Sequence, residues 1–328
     1  MKEPQTENVS IQRWVFLIAL ILFAIKLTAY YLTRSVAVLT DALESIVNVI
    51  AGAIGLYSLY LAAKPKDQNH PYGHGKAEFL SAAIEGTLIV IAGFIIIYES
   101  VLNLVSPKPL QQLDKGIILI SFTALVNYIV GFISTRKGKI NNSLALIASG
   151  QHLKTDAYST VALIIGLVLI LLTGYVWLDG TVAILFAVFI IYTGYRIMRS
   201  SIAGIMDEAD KELLTKMVRI LNSKRRDNWI DLHNLRVIKY GGQLHVDCHL
   251  TVPWYLNVLE AHHEVDILRE LIRKEFGTTL ELFVHTDPCL DFSCSICTRH
   301  DCQVRQRPFE EKFAWTLENI ISDKKHQL

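Results

Sequence analysis

The chain has 328 residues, of which 52% are hydrophobic and only 19% are charged. That balance excludes a single soluble domain and fits a membrane domain joined to a polar one. The net charge of +1 gives no reason to expect a nucleic-acid partner, and the charges are unevenly placed: residues 10–200 are mostly apolar, while residues 207–328 hold most of the Asp, Glu, Lys and Arg.

A membrane-spanning helix needs about 20 apolar residues. Six segments qualify in chain order: 12–32, 36–62, 78–103, 115–135, 144–172 and 177–199. The first is too long for a signal-peptide core and lacks a small-residue cleavage site, so it reads as a span. The separators, such as AKPKDQNHPYGHGK and SPKPLQQLDK, are polar or contain proline. Lys2, Arg13, Lys64, Lys66, Lys76, Arg136, Lys137, Lys139, Arg196 and Arg199 collect on one side, against Arg34, Lys108 and Lys115 on the other. This excess predicts that the first side, with both termini, is cytoplasmic.

Ionisable residues within spans face the bundle interior and mark ion pathways by default. The second span reads TDALESIVNVIAG, with Asp41, Glu44 and Asn48 at helical spacing. The fifth reads HLKTDA, with His152 and Asp156 four apart on one face. At about 1.5 Å of rise per residue, Asp156 lies about 18 Å from the cytoplasmic end of its span and Asn48 about 21 Å from the end of the antiparallel one. Glu44, Asn48, His152 and Asp156 therefore share a level near mid-bilayer and suit one small divalent cation. Two carboxylates balance two charges, the imidazole suits zinc, iron, copper or nickel, and the oxygen ligands extend the range to manganese. Protonated His152 binds no metal, so protons and metal compete for the site. Lys26, Glu85 and Asn127 have no such pairing and read as structural or gating residues.

Residues 209–288 read as helix, strand, strand, helix, strand. Gly241–Gly242 joins LHNLRVIKY to QLHVDCHLTV as a hairpin, and in the second strand Leu244, Val246, Cys248 and Leu250 alternate with His245, Asp247 and His249. Four of the five cysteines crowd into CLDFSCSICTRHDC as Cys289, Cys294, Cys297 and Cys302, with His300 among them. Four thiolates so placed suit tetrahedral zinc, though an iron–sulfur cluster or unligated thiols are alternatives. A cytoplasmic location disfavours disulfides.

Several stretches resemble the cation diffusion facilitator family: SVAVLTDALES opening span two, HPYGHGKAE before span three, HLKTDA in span five, and FVHTDP closing the polar domain. The resemblance covers residues 10–290. It implies an export of divalent metal in exchange for protons, with no enzymatic activity. It also implies a homodimer, and a transport site with two ligands from each of spans two and five. His152 and Asp156 match the fifth-span pair. Glu44 and Asn48 fall where the family has Asp or His followed by Asp, so a neutral amide stands in for a carboxylate. The resemblance implies a second metal site at Asp67, His70 and His74. In the cytoplasmic domain it implies regulatory metal ligands at His233, His249, His262, His285 and Asp287, with His263 an alternative to His262.

The expected fold class is a membrane all-α bundle of six transmembrane helices plus a small cytoplasmic α+β ferredoxin-like domain. The expected divisions are 1–206 for transport, 207–288 for metal binding and dimerisation, and 289–328 for a Cys-rich tail. The expected function is proton-coupled efflux of zinc or ferrous iron across the inner membrane of a cell. The alternative is a non-transporting membrane metal sensor, which the missing carboxylate at Asn48 favours.

Overall fold

The computed structural model describes residues 4–33, 36–105, 113–173, 177–277 and 280–327. The side chains of some helical stretches, 36–44 and 166–173 among them, also fall outside the described residues. The chain divides into two compact units, residues 1–206 and 207–328.

Among the described residues, the first unit is a bundle of six helices: α1 (Pro4–Thr33), α2 (Val36–Ala62), α3 (Ala77–Val105), α4 (Leu113–Ile140), α5 (Leu144–Thr173) and α6 (Trp177–Ile205). Most overrun their apolar segments at one or both ends; α4 continues through the basic STRKGKI. Among the described residues, two stretches are long and apolar enough to cross a membrane, Thr6–Thr28 and Ala77–Leu102. The outer surface is apolar, with Phe94, Leu185 and Val188 all more than half exposed. Polar groups turn inward instead: Lys26, Glu85 and Asn127 are all buried. Gln12 on α1 donates to the Ser149 hydroxyl on α5 at 3.0 Å.

Small residues set the helix spacing, as they must where no hydrophobic force drives helices together. A Cβ on Gly150 of α5 would lie 2.6 Å from the Thr135 nitrogen and 2.7 Å from the Gly131 carbonyl oxygen of α4. Only a glycine allows that approach, and it fixes the α5 backbone two residues before His152.

The second unit runs α7 (Lys211–Ser223), β1 (Asp231–Tyr240), β2 (Gln243–Val252), α8 (Val258–Phe276) and β3 (Glu281–Pro288), the order expected from the sequence. Asp210 caps α7 through the Leu213 N–H, and Asn257 with Glu260 forms a capping box on α8. The sheet order is β1-β2-β3, antiparallel then parallel. Gly241, at φ 59°, makes the hairpin turn. The apolar face of β2, Val246, Cys248 and Leu250, is buried against Met217 and Leu221 of α7 and Leu268 and Ile272 of α8.

Residues 289–327 fold back onto this domain. Trp315 and Ile320, the latter in a short helix α9 (Leu317–Ile320), are fully buried in its core. Arg225 stacks on the Trp315 indole at 4.2 Å and donates to the Phe313 carbonyl at 2.7 Å. Ile296 and Cys297 bury a second, smaller cluster with Ile230.

Candidate metal centres

Apart from His262, the residues expected to bind metal fall into four places. In the helical unit, α2 and α5 bring Asn48 to both partners on α5. Its Nδ2 donates to Asp156 Oδ2 at 2.6 Å, and its Oδ1 faces His152 Nε2 at 2.8 Å. A carboxamide oxygen only accepts, so Nε2 carries the hydrogen and Nδ1 keeps a lone pair. That Nδ1 is buried and meets no hydrogen-bond partner. Glu44 lies on α2, and its side chain is outside the described residues.

The loop after α2 folds around Asp67. Its Oδ1 accepts the backbone N–H groups of Asn69 and His70 at 2.9 and 2.7 Å, an Asx-type turn that fixes the carboxylate. The His70 N–H, aided by the His70 ring, holds this carboxyl below its usual range. His70 Nδ1 lies 3.1 Å from one Asp67 oxygen and His74 Nε2 lies 3.4 Å from the other. His74 is largely buried while Asp67 and His70 are exposed, so the trio opens to solvent on one side.

In the sheet, register assembles the third group. His233 on β1 pairs with His249 on β2, which pairs with His285 on β3. Side chains two residues apart on a strand share a face, so Asp287 joins the row. Asp287 Oδ2 lies 3.5 Å from His233 Nε2 and 3.3 Å from His249 Nδ1. The His285 ring lies tilted against that of His249, 4.7 Å between centroids, and reaches the other Asp287 oxygen at 3.6 Å. His262 sits apart on α8, exposed, 3.7 Å from Asp266.

Distances separate metal geometry from ordinary hydrogen bonding. N–H···O bonds run at about 2.7–3.2 Å. A tetrahedral ion with ligands at about 2.1 Å sets those ligands about 3.4 Å apart. The spacings of Asp287 to His233 and His249 match the second figure, and Asp287 Oδ2 is buried without a hydrogen bond. Among the described residues, two groups bring three donors within 4.8 Å of one another: Asp67, His70 and His74, and His233, His249 and Asp287.

Sequence reasoning did not anticipate Asp231, Lys325 and His326 next to the sheet group. Asp231 contacts His233 Nδ1 at 3.4 Å and His326 Nδ1 at 2.6 Å. Burial alone would raise its carboxyl, but the nearby His233 ring and the hydrogen bonds from the His326 ring and N–H outweigh this and hold it well below the usual carboxylate range. Lys325 Nζ lies 3.5 Å from Asp287. The spacing of Asp231 and His233 was visible as two residues on one strand face; the approach of the chain's far end was not.

The cysteines form the fourth place. Cys289, Cys294, Cys297 and Cys302 line one small cleft, and all five cysteines of the chain are free thiols.

The cation efflux transmembrane domain model matches residues 13–206, and the model for the cytoplasmic domain of cation efflux proteins matches 209–289. Relatives extend over most of the chain. An uncharacterized transporter of Synechocystis is 34% identical over 273 residues, 83% of this chain and 88% of the relative. The cation-efflux pump FieF of Shewanella oneidensis is 27% identical, covering 82% and 90% of the two chains. The manganese efflux system protein MneP of Bacillus subtilis is 29% identical, covering 86% and 98%.

Proposed function

The chain belongs to the cation efflux, or cation diffusion facilitator, family of membrane transporters, which are not enzymes, and from that premise we propose that it exports a divalent metal ion from the cytoplasm in exchange for protons. The observation that carries this reading is the junction of Asn48 with both His152 and Asp156 across α2 and α5. With Glu44, these residues form the transport site. His152 and Asp156 take up protons when the metal leaves and release them when it enters, because only their deprotonated forms are ligands.

All six helices span the bilayer in this reading. Each has 27 to 30 residues, about 40–45 Å at 1.5 Å per residue, enough to cross a hydrocarbon core of about 30 Å. The charge bias puts both termini in the cytoplasm. The sheet domain then faces the cytoplasm, where His233, His249, Asp287 and His285 bind regulatory metal in a homodimer. His262 completes that set only by a movement of α8 or by serving a second ion. Zinc and ferrous iron suit a site with one imidazole and carboxylate oxygens, and the name of MneP adds manganese to the cargoes worth testing.

The test is metal uptake into proteoliposomes under an imposed proton gradient, run as a competition among zinc, ferrous iron and manganese. Flux is expected to follow the gradient and to vanish in Asp156→Ala. A well-folded parent protein that binds metal but moves none refutes the transport reading and leaves a sensor in its place.

A further inference from the structure

Residues 296–316 contain no helix or strand, yet they hold Trp315 in the core of the cytoplasmic domain. An irregular stretch of that length within a compact domain usually needs something to fix it. The cysteine cleft lies at its start. Cys289 is tied to the end of β2 by its N–H to the Val252 carbonyl at 2.9 Å. Cys294 sits in a 3-10 turn, Asp291–Ser295, and Cys297 just after it. Cys302 also lines the cleft. The family's cytoplasmic domain ends at residue 289, so three of the four cysteines lie beyond it.

Three features go beyond the mere presence of thiols. Two backbone N–H groups point at sulfur: Trp254 at Cys289 Sγ, 3.4 Å, and Gln306 at Cys294 Sγ, 3.5 Å. Backbone N–H groups so placed would hydrogen-bond a metal-bound sulfur from outside its ligand shell. The Arg305 guanidinium donates to the carbonyls of Cys294, Cys297 and Arg299 at 2.7 to 2.9 Å, which fixes the turn carrying the middle pair. Arg299 and Arg305 both line the cleft. Four thiolates and one divalent ion leave a charge of two negatives, and two guanidiniums beside them supply the balance.

We propose that Cys289, Cys294, Cys297 and Cys302 bind one zinc ion that staples the tail to the cytoplasmic domain. Four thiols give their protons to solvent, and four sulfur–zinc bonds form in their place. The sulfurs line the cleft without meeting the 4.8 Å spacing of the two His/Asp groups, so binding draws them inward by side-chain rotation. The site is structural, built from different ligands than the transport site, and does not depend on the transport reading.

Cobalt reports the ligand type directly. Full-length protein in detergent, stripped of metal, is titrated with Co2+. One equivalent is expected to produce a sulfur-to-cobalt charge-transfer absorption with the visible bands of a tetrahedral ion, and Zn2+ is expected to abolish both. The bands persist in His233→Ala/Asp287→Ala and vanish in Cys294→Ser/Cys297→Ser. Wild-type protein that binds Co2+ without a thiolate band overturns the proposal with no reliance on a variant's folding. So does a band that survives the cysteine substitutions, or an iron–sulfur chromophore that Zn2+ cannot prevent.

Discussion

Asn48 on α2 and Asp156 on α5 meet through a hydrogen bond of 2.6 Å, with the amide donating and the carboxylate accepting. A metal ion that uses both would take Asn48 through Oδ1, the atom now facing His152, because the amide nitrogen only donates. Asp156→Asn keeps the side-chain volume and removes the charge. We expect it to lower metal flux more than the roughly 10–100-fold typical of losing an outer-shell partner. Vesicle uptake measures this, and flux within tenfold of the parent contradicts a ligand role for Asp156.

Asn48→Asp replaces the bridging donor with a second acceptor. In the apo protein two carboxylates then face each other, and one must hold a proton. The expected outcome is a changed order of preference among zinc, iron and manganese, with flux more sensitive to acid than the parent's. An unchanged order in the competition series removes Asn48 from metal selection.

The loop trio of Asp67, His70 and His74 is testable apart from transport. His70 is more than half exposed, so His70→Ala is expected to change stability by no more than about 0.5 kcal/mol. Its effect on metal affinity is expected to be at least about tenfold. Calorimetric titration of the full-length protein with zinc checks both, since a structural defect would move the unfolding transition as well.

Asp210 gives the cytoplasmic domain a pH-dependent contribution. Partial burial would raise its carboxyl, but the N-cap bond from Leu213 and the ion pair with Lys239 more than offset this and lower it. A carboxyl lowered in the folded state adds stability that is present above its ordinary value, near pH 4. That stability is lost as pH falls through the folded value. Asp210→Ala is expected to cost about 1 kcal/mol at neutral pH. The gap between parent and variant in denaturant unfolding should narrow below about pH 4. A gap independent of pH would assign the loss to helix propensity alone.

The helical unit was readable because apolar runs and their breaks are one-dimensional signals. All six expected segments have a helix, and the errors lie at ends where polar residues extend a helix, as in α1 from Pro4 and α4 to Ile140. The hairpin at Gly241 and the alternation of β2 were equally local. His245 was the exception: it lies on the polar face but is buried under Tyr240, a contact that alternation cannot express. The pairing of Asp67, His70 and His74 followed from spacing and resemblance together. What stayed hidden was non-local. No periodicity marks the segment that carries Trp315 into the core, and nothing near Asp231 announces that His326 will reach it from 95 positions away.

The turn at Gly241 has a bearing on the histidine row that its size does not suggest. Strand side chains alternate, so sliding β2 by a single residue would swing His249 through the sheet to the oily side and expose Val246 and Leu250 to water. The ladder nevertheless holds one such shift, a β-bulge in β1 between His233 and Arg236. The two-glycine corner therefore sets the frame from Tyr240 back to Arg236, and the bulge beyond it is what brings His233 opposite His249.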